Sequence, residues 1–175
     1  MLRSKDLVLK SPSQKDYEVL RKVKPCDEYY LMVGEDPIQS YFLDDKKFDE
    51  SFSKSLNREN YWLVFKEAEV IGVAFLHSLD INDKRARYAV GIYSKDNWNR
   101  GFGHQITQAV LKFAFHRLKL HKVDLRVLAY NKRAIAVYEE NGFVQEGILR
   151  ENAFINNEWH DDIIMSILCH EFHTK

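Results

Sequence analysis

Between Tyr93 and His104 the chain reads Tyr93-Ser94-Lys95-Asp96-Asn97-Trp98-Asn99-Arg100-Gly101-Phe102-Gly103-His104. Two glycines one residue apart let a backbone close tightly on a ligand, and Arg100 adds a permanent cation. Upstream, Arg87 to Tyr93 reads as a strand; downstream, Ile106, Val110, Phe113, Ala114 and Leu118 recur at helical spacing. A strand, a glycine turn and a helix start make an anion cradle, because the first amides of a helix point outward unpaired. Glycines beside a helix also mark plain turns, so the neighbouring segments must decide. A dinucleotide fingerprint needs a third glycine where Ile106 stands, and a P-loop needs Lys and Ser/Thr where His104 and Gln105 stand. Both readings fail.

Metal chemistry is not indicated. The 7 histidines lack paired ligand spacing. Cys26 and Cys169 stand far apart, with no second cysteine near either, and read as reduced thiols of a cytoplasmic protein.

A second segment follows a strand-like run from Lys122 to Leu128. It is Asn131-Lys132-Arg133-Ala134-Ile135-Ala136-Val137-Tyr138-Glu139-Glu140-Asn141-Gly142-Phe143. Together the two segments resemble the GNAT superfamily of N-acetyltransferases. Its pattern is Gln/Arg-x-x-Gly-x-Gly/Ala, then Asn-x-x-Ala-x-x-x-Tyr-x-x-x-Gly-Phe. The second piece is complete here. In the first, Trp98 replaces Gln or Arg, which is similar to the branch holding ribosomal-protein alanine and spermidine/diamine N-acetyltransferases. The resemblance runs from about Leu7 to Leu168, and the two motifs are specific as a pair.

The resemblance implies acetyl-CoA as co-substrate and direct attack by a primary amine in a ternary complex. Neither motif contains a cysteine for an acyl-enzyme. The diphosphate would lie on the turn Trp98, Asn99, Arg100, Gly101, Phe102, Gly103 and His104. The pantetheine arm would pair with Gly91, Ile92, Tyr93 and Ser94. Gly91 invites two further readings, a bulge or a packing glycine. Asn131 would cap a helix and reach the cofactor's amides. Tyr138 matches the tyrosine that protonates the leaving thiolate in the family, a task suited to a phenol with pKa near 10. By spacing alone, it falls on an apolar face with Ala134 and Val137. The family's carboxylate base is absent, since Ala86-Arg87 stands in its place. His77, Asp80 and the acids of 27–59 are substitutes, none compelling. An acyl-CoA-binding sensor without transfer is the alternative function.

These elements fit one mixed α/β (α+β) domain: about seven strands, mostly antiparallel, flanked by helices. Strands are expected at Leu7–Leu9, Tyr61–Phe65, Val70–Leu79, Arg87–Tyr93, Lys122–Leu128, Val144–Phe154 and Trp159–Leu168. Four therefore precede the glycine turn. Ser13 is placed to cap a helix that Pro25 ends, and short helices are expected before Gly34 and before Tyr61. Glu35-Asp36-Pro37 and Asp44-Asp45 read as turns, and Asn156-Asn157 as a tight hairpin. Asp161, just beyond that hairpin, reads as structural.

The 175 residues suit one domain with a substantial core. A formal net charge of zero excludes a global pull toward nucleic acid. No apolar run reaches membrane-spanning length, and no leader peptide is expected. From Asp27 to Glu59, nine acids face four bases, which gives a solvated face or the wall of a cleft that attracts a cationic amine. The acidic run points to a polyamine or an aminoglycoside-like amine as acceptor, and the resemblance instead implies a protein N-terminus. Ile163 to Leu168 is a buried strand or the seam of a homodimer.

Overall fold

The computed structural model describes residues 1–34 and 44–173. Its strands are β1 (Leu2–Arg3), β2 (Val8–Lys10), β3 (Tyr61–Lys66), β4 (Glu69–Asp80), β5 (Arg85–Ile92), β6 (Lys122–Leu128), β7 (Val144–Ile155) and β8 (Glu158–Leu168). They form one sheet in the order β1-β2-β3-β4-β5-β6-β8-β7. Strands β1 to β5 are an antiparallel meander, and β5 pairs β6 in parallel. Strand β8 then lies between β6 and β7, antiparallel to both. The helices are α1 (Tyr17–Arg21), α2 (Asp27–Val33), α3 (Asp45–Leu56), α4 (Phe102–Lys112) and α5 (Lys132–Glu140).

Two apolar cores lie on opposite faces of this sheet. On one face, Ile106, Val110, Leu111 and Ala114 of the α4 region pack on Tyr88, Val123, Leu125 and Met165. Each fully buried Leu or Ile there contributes about 1.5–3 kcal/mol. On the other, Phe48 and Phe52 of α3 pack with Leu20, Leu63, Val73 and Tyr93. Helix α4 ends in a wide turn in which Leu118 N–H donates to Phe113 O, five residues back.

The sheet has eight strands instead of about seven, and five precede the glycine turn instead of four. The extra one, β1, is two residues long, too short to show a period in sequence; Ser4 N–H donating to Leu7 O folds it back on β2. Asp44-Asp45 is a helix start, not a turn: the Asp44 carboxylate accepts from Lys47 N at 3.0 Å. Asn156 and Asn157 both hold positive φ, 52° and 63°, as a tight hairpin requires. Ile163 to Leu168 is an interior strand, hydrogen-bonded on both edges, so it offers no free edge for pairing with another chain. The expected turn at Glu35-Asp36-Pro37 lies outside the described residues. No described helix is long and apolar enough to cross a membrane.

Candidate active site

The site begins where two strands part. Strands β5 and β6 share only three register pairs, Arg85↔Lys122, Ala86↔Val123 and Arg87↔Asp124. Beyond them, β4 holds the far edge of β5 as far as Ile92 while β8 holds β6 as far as Leu128. The Arg87–Asp124 ion pair, 2.5 Å, sits in the crotch of the fork. Above it opens a cavity of about 350 Å³. Tyr93 N–H donates to Ile71 O, which makes 71/93, 73/91 and 75/89 the bonded pairs with β4. Bonding alternates along an antiparallel ladder, so Val90 and Ile92 turn their backbone groups into the fork. Trp98 takes one of these, with Nε1 donating to Ile92 O at 3.0 Å.

One mouth of the fork is built by the glycine turn and α5. Ser94 Oγ accepts from Asp96 N and caps a single helical turn ending at Trp98. Asn99 and Gly101 hold φ of 56° and 75°, the left-handed region that lets the chain reverse into α4. The first helical bond runs from Gln105 N to Gly101 O, which leaves the amides of Phe102, Gly103 and His104 without helical acceptors. Gly103 packs against α5, where a Cβ would stand 3.5 Å from Val137. Asn99, Gly101, Phe102 and Gly103 line the cavity with Ile92 and Trp98.

Four residues expected at this mouth turn their side chains elsewhere. The Tyr93 ring joins the α3-side core, and its backbone N–H and C=O are taken by Ile71 and Cys26. Tyr93 therefore has no backbone group to offer an extended ligand. Ser94 spends its hydroxyl on the cap. Arg100 lies over the Phe102 ring at 5.7 Å and opens on a second hollow with Asp6, Lys66 and Glu67. The His104 ring sits inside, its Nδ1 without a hydrogen-bond partner among the described residues.

Helix α5 supplies the rest of this mouth. Arg133 stacks on the Trp98 ring at 3.6 Å, and burial lowers its pKa. Asn131 is doubly used: its Oδ1 accepts from Ala134 N at 3.2 Å, and its Nδ2 donates to Met32 O at 3.3 Å. It thus caps α5 and tethers α2 while lining the cavity. Tyr138 is 7% exposed, edge-on to Tyr88 at 6.4 Å, and lines the cavity. Burial pushes its phenol up to about 12.

The opposite mouth belongs to α2 and the far side of β6 and β8. Side chains alternate across a strand. Val123, Leu125 and Val127 face α4, so Asp124, Arg126 and Leu128 face the other way; Asp162, opposite Leu128, shares that side. Arg126 and Asp162 line the cavity there with Tyr29, Met32 and Val33. Gly91 is not bulged; it lines the cavity and packs against α2, where a Cβ would come within 2.7 Å of the Tyr29 ring. Asp161 is structural, its Oδ1 accepting from Glu151 N at 2.8 Å across a break in the β7–β8 register.

None of the described substitute bases lines the cavity, and Glu35 and Asp36 lie outside the described residues. His77 pairs with Arg87 and Asp80 with Arg85, at the closed end of the fork. The His77 pKa is lowered, first by burial and then by Arg87. Glu28, from the acidic segment, is ion-paired to Lys95. Among the described residues, Asp162 is the one carboxylate that lines the cavity. Reading the sequence missed Tyr29, Arg126, Arg133 and Asp162. The alternation of β6 and β8 could have found Arg126 and Asp162, but which face opens depends on where the strands part.

Residues 6–144 match the family model described as acetyltransferase (GNAT) domain. The chain is 31% identical over 137 residues to the spermidine N(1)-acetyltransferase of Vibrio cholerae, covering 77% of this chain and 76% of that one. The crystal structure of spermidine N-acetyltransferase from Vibrio cholerae with CoA and spermine superposes with a TM-score of 0.80 at 26% identity, covering 95% and 97% of the two chains. A dodecameric structure of the same enzyme in an intermediate state gives 0.73 at 27% identity, covering 94% of each chain.

Proposed function

We propose, from the premise that this chain belongs to the GNAT family of acetyltransferases and is an acetyl-CoA-dependent N-acetyltransferase, that it acetylates a primary amine of the polyamine class. The observation that carries this reading is the fork between β5 and β6, with outward amides at one mouth and a buried phenol in its wall. The amides of Phe102, Gly103 and His104 fit a diphosphate, which a helix start favours through both hydrogen bonds and dipole. Val90 and Ile92 offer backbone groups to the amides of an extended arm. Trp98 and Arg133, stacked together, close that arm's flank. Bound acetyl-CoA supplies an activated acyl group as a thioester. Tyr138, protonated throughout the physiological range, donates its proton to the departing sulfur. The amine attacks directly, since no cysteine lines the cavity. Its surplus proton leaves through the α2-side mouth to water.

The relatives' spermidine and spermine, together with the carboxylate at that mouth, favour a polyamine over a protein N-terminus. Self-association follows the dodecameric relative, and light scattering of the purified protein tests it. The activity is tested by thiol release from acetyl-CoA with a panel of amines. Turnover with spermidine well above that with simple monoamines is expected, and no thiol above background with any amine refutes the reading.

A further inference from the structure

Four features of the α2-side mouth bear on how an acceptor is held. First, Asp162 is half-buried and lines the cavity, and among the described residues it has no ion-pair partner. A half-buried carboxylate left unpaired carries a desolvation cost that a bound cation would offset. Second, Asn152 Nδ2 donates to its Oδ2 at 2.7 Å, an exposed bond that occupies one carboxylate oxygen and leaves Oδ1 for a ligand. Third, Asp162 and Tyr138 lie on opposite faces of the sheet yet line one cavity, so the fork is a passage through the sheet. A molecule reacting beside Tyr138 and extending toward α2 meets Asp162 with its far end. Fourth, among the described residues that line this mouth, the other charge is Arg126, which is exposed and screened by water, so it opposes a cation only weakly.

We propose that Asp162 is the specificity-determining residue for the acceptor: it binds the second, non-reacting ammonium of a diamine or polyamine, a role that rests on the N-acetyltransferase reading above. At the distal nitrogen, the Asp162 charge orients the acceptor and takes no part in deprotonating the reacting one. Asp162 therefore selects by length and by a second positive charge, and does so through binding, not through the chemical step.

Steady-state kinetics with 1,4-diaminobutane and butylamine, which differ only in the second amine, test this. Wild-type protein is expected to favour the diamine. Asp162→Asn should raise the diamine KM about tenfold or more, leave its kcat within about threefold and the butylamine KM within about twofold, and Asp162→Glu should recover part of the loss. Arg126→Gln should lower the diamine KM by about twofold, which keeps the proposal open to refutation if Asp162→Asn does not fold. The proposal is overturned by equal losses on both amines, by a fall in kcat at constant KM, by an unchanged diamine KM, or by a diamine KM that Arg126→Gln leaves unchanged or raises. Wild-type protein that acetylates neither of these amines nor spermidine overturns the enzyme reading itself, a distinguishable result.

Discussion

Replacing Tyr138 with Phe removes one oxygen and keeps the ring. That ring packs edge-on to Tyr88 at 6.4 Å and tilted against Phe143 at 5.7 Å, contacts that survive the change. Stability near neutral pH should therefore shift by less than about 1 kcal/mol. Catalysis should not be spared. With a phenol at about 12, fewer than roughly one molecule in a thousand is ionised at pH 8. The group is thus a proton donor over the working range. Loss of a positioned general acid costs about 10²-fold in kcat or more, near 2.7 kcal/mol. The amides of α4 are untouched, so the dissociation constant of acetyl-CoA should stay within about twofold. The folded-state pKa is raised above the ordinary 10, so the stability linked to it is fully present below pH 10 and disappears as pH climbs toward about 12. On the order of 2–3 kcal/mol is involved, and the Phe variant should lack that component of alkaline unfolding. Thiol-release kinetics, calorimetry with CoA and denaturant melts at pH 8 and above check the three parts. Wild-type turnover in the variant refutes the reasoning. So does an alkaline limb of wild-type kcat below pH 10 that vanishes in Tyr138→Phe.

Gly91→Ala places a methyl 2.7 Å from the Tyr29 ring; it should cost about 1–3 kcal/mol and raise the acceptor KM through α2, and an unchanged melt and KM count against that packing. Arg133→Ala removes the stack on Trp98, which should destabilise by about 1 kcal/mol and raise the acetyl-CoA KM with kcat unchanged. Asp161→Ala removes the acceptor of the Glu151 amide at the exposed irregularity of β7; a loss of about 0.5–1.5 kcal/mol is expected with the spermidine KM unaltered, in contrast to its neighbour Asp162.

Local patterns carried most of the architecture. Gly101 and Gly103 read as a turn and helix start before the helical spacing of Ile106, Val110 and Ala114, and Asn156-Asn157 read as a tight hairpin. These signals are short-range, arising from φ preferences and side-chain period, and so are fully written in neighbouring residues. The family followed from two such segments together. Strand β1 escaped because two residues carry no period.

What stood beyond the sequence was everything set by how far apart two strands lie. Chain order makes Ile92, Tyr93 and Ser94 look like one ligand-facing edge, but only the ladder with β4 decides that Val90 and Ile92 turn into the fork while Tyr93 is spent on Ile71 and Cys26. Asn131 reads as a cap in sequence, and its second bond, to Met32, exists only because α2 folds across the fork. Asp161 and Asp162 differ by one position and by a whole face of the sheet: one braces the irregularity of β7, the other stands in the cavity. Propensity, capping and turn chemistry are properties of adjacent residues and could be read directly. The parting of β5 from β6 depends on contacts between residues far apart in the chain, and that parting is what makes the cleft.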